Sequence, residues 1–193
     1  MTINDIKSDK KFWQRMLRLG GYYTGAIDGI IGVKSRAAEE AWNSDVVRYR
    51  NLAGRLDERS ENTIATVLPY AQYLARRWMN EIQAIASTVG VTVKLIDGTR
   101  TYAEQNALYN KKPKVTNARG GYSWHNFGLA VDFGLFKGSS YIGDSPHYAT
   151  LGKVARNIPG LEWGGDWKSF KDEPHLQMKK FASLAEARKE FEQ

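Results

Sequence analysis

The chain has 193 residues and no cysteine, which excludes disulfide frameworks, thiolate nucleophiles and every cysteine-containing zinc site. Hydrophobic residues at 42% and charged residues at 25%, with no low-complexity tract, supply a packed core and exclude a disordered chain. The net charge of +7 is uneven: residues 1–45 hold 7 basic and 6 acidic side chains, the remainder 21 and 15, so the basicity belongs to the larger segment.

A basic surface favours polyanions. No Lys/Arg run is interleaved with aromatics as a nucleic-acid groove requires, so no nucleic-acid partner is expected. Met1 to Lys11 is polar and lacks the apolar run of a secretory signal, and no apolar stretch is long enough to span a bilayer. The expectation is a protein made in soluble form, without stable membrane association. Nothing in the sequence demands more than a monomer.

In chain order, Phe12, Met16 and Leu19 share one helical face within residues 9–19, and Gly20-Gly21 stop that helix. A turn-rich stretch from Tyr22 to Gly32 leads to a second helical pattern, Ser35 to Trp42. The run Gly21-Tyr22-Tyr23-Thr24-Gly25-Ala26-Ile27-Asp28-Gly29 with Gly32 resembles the loop of the peptidoglycan-binding repeat found at the ends of many wall hydrolases. That resemblance implies a small all-α module over residues 1–45, with Tyr22, Tyr23 and Asp28 as wall-binding candidates. The repeat's preceding helix reads as short or missing, and Ala41-Trp42-Asn43 departs from its usual pattern. The alternative is a small packing module without a ligand. Residues 46–54 read as a linker or connecting helix.

In residues 55–193, Pro69 opens a long amphipathic helix that runs to Val89 and stops at Gly90. Val91 to Ile96 alternates as a half-buried strand. Thr101-Tyr102-Ala103-Glu104 is a capping box opening a helix to about Asn110, which makes Glu104 a cap rather than a catalyst. Ala130–Phe136 and His175–Met178 read as strands, and Tyr148–Asn157 and Ser183–Glu190 as helices. The expected class is α+β, a small antiparallel sheet with flanking helices.

Two of the three histidines stand in unusual company, in Ser123-Trp124-His125-Asn126-Phe127-Gly128-Leu129-Ala130-Val131-Asp132 and in Asp172-Glu173-Pro174-His175. Two imidazoles and a carboxylate, His125, His175 and Asp132, supply three ligands for a tetrahedral zinc and leave the fourth position to water. Strand alternation turns Asp132 to one face and Val131 and Phe133 to the other, and His175 and Gln177 likewise share a face. Gly128 is read as letting the chain come close to the metal. A catalytic zinc also needs a carboxylate base; Asp172 is placed for it, and Glu173 is the rival. His147 has no partner motif.

The two motifs together resemble the metallopeptidase family of D-alanyl-D-alanine carboxypeptidases and L-alanyl-D-glutamate endopeptidases, with Ser123, His125, Gly128, Ala130 and Asp132 at the fixed positions of the first motif. The resemblance implies a hedgehog/DD-peptidase-like fold and selects Asp172 over Glu173. It implies that Arg100 reaches into the cleft to stabilise the tetrahedral intermediate and that Gln105 contacts substrate. Ser123 is implied as a contact to substrate or the metal shell, or else forms a turn. Trp163, in Leu161 to Trp167, either walls the peptide groove or is core. Trp124, where a small polar residue is usual, suggests a narrower or more apolar mouth.

An aspartate base resembles the endopeptidase branch. Both motif sets point to one polymer, so the expectation is a phage-type endolysin that cleaves the L-alanyl-D-glutamate bond of peptidoglycan stem peptides. It would be synthesised in the host cytoplasm and act on the wall after release through membrane lesions. The alternatives are a D-alanyl-D-alanine carboxypeptidase using the same site and a non-catalytic wall-binding protein.

Overall fold

The computed structural model describes residues 1–193. Helix α1 (Ile3–Ser8) is closed by a capping box between Thr2 and Asp5, and the Asp9 carboxylate then accepts from the Phe12 amide to start α2 (Lys10–Gly20). This first helix is short, at six residues. Its stripe is a single buried residue, Ile6, too little for periodicity to register.

Helix α3 (Val33–Ala53) continues through residues 46–53, so the expected linker or connecting helix is the end of α3. Helices α4 (Glu58–Ile64) and α5 (Pro69–Thr88) follow, held together by a buried ion pair in which Arg76 donates to Glu61 at 2.7 Å. Strand β1 (Thr92–Asp97), α6 (Tyr102–Tyr109), β2 (Ala130–Lys137), β3 (Ser140–Ile142), α7 (His147–Gly152), β4 (Leu161–Trp163), β5 (His175–Met178) and α8 (Leu184–Glu192) complete the chain. No helix is long and apolar enough to cross a membrane.

The sheet is antiparallel, in the order β1-β2-β5-β4, with β3 also paired to β2. Its register sets which side chains meet. Asp132 lies opposite His175, Ala130 opposite Gln177, and Glu162 opposite Gln177. Because side chains alternate along a strand, Asp132, His175, Gln177 and Glu162 share one face. Val131, Phe133, Leu176 and Trp163 take the other, which packs on α5 through Trp78, 4.6 Å from the Phe133 ring.

One apolar core runs from the first helices into the sheet. Phe12 on α2 meets Phe191 on α8 edge-on at 5.4 Å, and Phe191 meets Phe127 in the same way at 5.4 Å. Gly128 is the closest point of this seam. It sits at φ 62°, its carbonyl accepts from the Leu68 amide at 2.9 Å, and a Cβ there would lie 2.5 Å from the Met16 Cε of α2. The glycine is thus required by a left-handed turn and by packing against Met16 and Leu68.

Gly128→Ala combines an unfavourable φ with overpacking, and about 2 kcal/mol of stability should be lost. Urea denaturation measures this; an unchanged midpoint would show that Met16 yields freely.

Candidate metal centre

A 3-10 turn, Trp124–Phe127, places His125 just before the left-handed Gly128, from which the chain enters β2 and delivers Asp132 to the face where β5 begins with His175. The three side chains converge. His125 Nε2 lies 3.2 Å from Asp132 Oδ1 and 3.2 Å from His175 Nδ1, and His175 Nδ1 lies 3.0 Å from Asp132 Oδ1. Both imidazoles are buried, at 2% and 4% exposure.

The remaining ring nitrogens decide the tautomers. His125 Nδ1 donates to the Gly98 carbonyl at 2.6 Å, so its Nε2 presents a lone pair inward. His175 Nε2 donates to Gln177 Oε1 at 3.2 Å, and Gln177 is oriented by its own donation to Glu162 Oε2 at 2.9 Å. Two imidazole lone pairs and a carboxylate oxygen therefore face one point. Such a set repels itself unless a cation lies between them. Tetrahedral zinc with bonds of about 2.0–2.1 Å needs ligand separations of roughly 3.3 Å, close to those observed. The donor set fits a divalent metal.

The charges around it are ordered. Burial alone would raise the Asp132 pKa, but hydrogen bonds and charge from His125 and His175 prevail and hold the carboxyl well below the usual range. Burial alone would lower His175, and Asp132 outweighs it and raises the imidazole. Asp172 is pushed up, first by burial and then by the negative charge of Asp132; His175, His125 and Arg100 oppose this. Asp172 and His175 both flank Gly164, where an added Cβ would lie 3.2 Å from the Asp172 Cβ and 3.0 Å from that of His175. The Asp172 amide bonds the Gly164 carbonyl at 3.1 Å, and its carbonyl accepts from the His175 amide at 3.1 Å, so the turn holding Asp172 is fixed to the strand holding His175.

Arg100 also arrives at the triad, where it is already engaged. It donates to Asp132 Oδ2 at 3.4 Å and to Gln105 Oε1 at 2.8 Å, with Nε 3.2 Å from Asp97. Gln105 is fully buried and donates to the Ala118 carbonyl at 2.7 Å; it braces Arg100 and is not open to substrate. Ser123 precedes the 3-10 turn, half-buried, its carbonyl accepting from the Asn126 amide. Trp124 is half-buried against the core.

Trp163 corrects the expectation of a groove wall. It is 4% exposed, on the core face of β4, and its indole donates to the Glu173 carbonyl at 2.7 Å. Gly165 leaves room for its ring. The aromatic at the site is Trp167, whose ring lies 5.0 Å from that of His175.

In the first 45 residues, Tyr23 is buried and its hydroxyl donates to the Ala26 carbonyl at 2.8 Å, so it builds the loop and is not available to a ligand. Asp28 Oδ1 accepts from the Ile30 amide at 2.8 Å and from Gln14 at 2.9 Å. Gln14, fully buried, also accepts from the Gly29 amide at 2.8 Å and is the loop's anchor. Tyr22 is half-buried and borders a groove, and Asp28 is exposed.

Two braces of the metal centre were not read from the sequence. The Gly98 carbonyl carries no side-chain signal. Glu162 lies on a strand of three residues, too short to show alternation, although Gln177 was already placed on the face of His175.

Comparison with known proteins agrees with this geometry. Residues 116–178 match the family model described as D-alanyl-D-alanine carboxypeptidase. The chain is 41% identical over 112 residues to the peptidoglycan L-alanyl-D-glutamate endopeptidase CwlK of Bacillus subtilis (strain 168), covering 50% of this chain and 66% of that protein. It is 35% identical over 92 residues to the L-alanyl-D-glutamate peptidase of Listeria phage A118, covering 46% of this chain and 31% of that one. Among solved structures, the Serratia marcescens L-Ala D-Glu endopeptidase ChiX aligns with a TM-score of 0.47 at 27% identity, over 65% of this chain and 90% of that one. The segment that builds the His125–Asp132–His175 centre matches the model of this peptidase family, and the chain, which spans less than two thirds of the length of these curated relatives, is similar to L-alanyl-D-glutamate endopeptidases.

Proposed function

We propose that this protein is a zinc-dependent peptidoglycan hydrolase that cleaves the L-alanyl-D-glutamate bond of stem peptides, as the names of its relatives describe for them. The observation that carries the reading is the convergence of two imidazole lone pairs and the Asp132 carboxylate at 3.0–3.2 Å, with both tautomers fixed from outside. A bound zinc ion supplies Lewis acidity and lowers the pKa of coordinated water to about 7.

The protein's own groups divide the remaining work. Asp172 takes a proton from the attacking water and passes it to the leaving amine; its raised pKa suits both halves of that transfer. Arg100 holds Asp132 in place and sets a fixed positive charge beside the carbonyl oxygen as it becomes negative. Trp167 and Ser123 border the entrance. Glu173 is the rival base, and its backbone carbonyl accepts from the Trp163 indole.

Residues 1–45 act as a wall tether in this reading, ahead of a peptidase domain over residues 55–193, and the protein works as a monomer in the manner of an endolysin. Synthesis in the host cytoplasm and access to the wall through membrane lesions belong to the same proposal. A tether raises local substrate concentration without adding a catalytic contact.

Digestion of purified wall with the zinc-loaded protein should expose new amino-terminal D-glutamate, identified by mass spectrometry. Release of free D-alanine instead would establish a carboxypeptidase, and wall binding without any new amino group would establish a non-catalytic protein.

Asp172→Asn should retain about one zinc per chain while turnover falls roughly 10²–10⁴-fold; His175→Ala should lose the metal itself. Metal analysis beside kinetics separates these roles, and an active Asp172→Asn paired with an inactive Glu173→Gln reverses the assignment of the base.

Gln177→Leu removes the acceptor that fixes the His175 tautomer, and zinc affinity should drop about 10–100-fold. Competition with a chelator reads this directly; unaltered affinity means that the inward lone pair of His175 does not depend on Gln177.

A further inference from the structure

Asn126 stands between His125 and Phe127 in the 3-10 turn and is fully buried, yet it takes no part in the His125–Asp132–His175 triad. Every polar atom of its side chain is used. Oδ1 accepts from the Gly121 amide at 2.9 Å, and Nδ2 donates to the Arg100 carbonyl at 2.9 Å and to the Thr101 carbonyl at 3.4 Å. An N–H on one side and two carbonyls on the other fix which end of the amide is oxygen. Buried without partners such a group would cost stability; here one planar carboxamide supplies an acceptor and two donors.

These bonds converge on Arg100. Its backbone N–H donates to the His125 carbonyl at 3.0 Å and its own carbonyl accepts from Asn126, so both main-chain groups of Arg100 are bonded to consecutive residues of the turn. Residues 98–101 belong to neither β1 nor α6, so partners outside the regular elements must satisfy their backbone. At the far end the guanidinium donates to Gln105 Oε1 at 2.8 Å and to Asp132 Oδ2 at 3.4 Å. Asn126 thus holds the root of the side chain and Gln105 its tip. The same two carboxamides hold one further segment, Gln105 through the Ala118 carbonyl at 2.7 Å and Asn126 through the Gly121 amide.

At 3.4 Å the bond from Arg100 to Asp132 is already long, and a shift of the Arg100 backbone by a few tenths of an ångström takes it out of reach. We propose that Asn126 is a positioning residue that acts through Arg100: it fixes the backbone from which the guanidinium projects, and with it the positive charge beside the developing oxyanion. Its effect on turnover rests on the hydrolase reading above, whereas the placement of Arg100 is measured without turnover.

Two variants of the full chain separate this role from a purely structural one. Asn126→Asp keeps the acceptor for Gly121, but a carboxyl group, ionised or neutral, cannot donate to both carbonyls. Asn126→Ser shortens the side chain. Crystal structures of both zinc-loaded variants should show about one zinc per chain and the Arg100 guanidinium beyond hydrogen-bond reach of Asp132. With intact wall as substrate, kcat should fall about 10–100-fold in each, and KM should stay within about twofold. In an Arg100→Ala background the same substitutions should lower kcat by less than about twofold, because no guanidinium is left to misplace.

Penalties that multiply in the two backgrounds, or a guanidinium still bonded to Asp132 in both variants, overturn the proposal. Loss of zinc or of the fold in both variants shows that Asn126 supports the turn as a whole and likewise overturns it. If the unsubstituted protein releases no new amino termini from wall, the hydrolase reading falls, and the crystal structures alone decide whether Asn126 places Arg100.

Discussion

Each histidine of the metal centre gives its proton outward, and the rest of the site follows from that. Imidazole offers one lone pair only when its other nitrogen is a donor, so the two acceptors behind the rings decide what lies in front of them. One acceptor is the Gly98 carbonyl at the end of β1, and the other is a side-chain amide held by a carboxylate on β4. The metal-facing chemistry is consequently distributed over the sheet. Strands β1, β2, β5 and β4 contribute, in that spatial order, an acceptor, Asp132, His175 with its brace, and the brace's anchor.

The carboxylates show how one small region sustains opposite proton behaviour. Asp132 is hydrogen-bonded by both imidazoles and Arg100, which favour its charged form; Asp172 feels the same cations without hydrogen bonds from them, and its burial and the negative charge of Asp132 prevail, so its charged form is disfavoured. Divergent environments for two neighbouring acids are the arrangement expected when one is a permanent ligand and the other exchanges protons. Gln105 and Asp97 matter by holding the Arg100 guanidinium against Asp132.

The long elements and the meeting of His125, Asp132 and His175 were legible because their signals are local. The amphipathic stripe of α5 matches its observed span, and His125, Asp132 and His175 stand in two motifs whose spacing the strands preserve. What was not legible is short or relational. Strands β3 and β4 have three residues each, α1 buries one side chain, and α4 buries only Ser60 and Ile64, so none carries a periodic pattern. Trp163 and Glu162 were separable only once β4 was known to pair with β5, because alternation then sends the indole to the core and the carboxylate to Gln177. Likewise Gln105 reads as a cleft residue until the Ala118 carbonyl is found against its amide.

The wedge formed by Met16 against Gly128 gives the amino-terminal helices a second task. They occupy the rear of the very turn that carries His125, and Phe12, Phe191 and Phe127 extend the same wall. A recombination event that exchanged this front end for an unrelated unit would therefore strip the support from behind His125. In this architecture the ancestry of the two parts is coupled: the amino-terminal helices and the turn they support must diverge together.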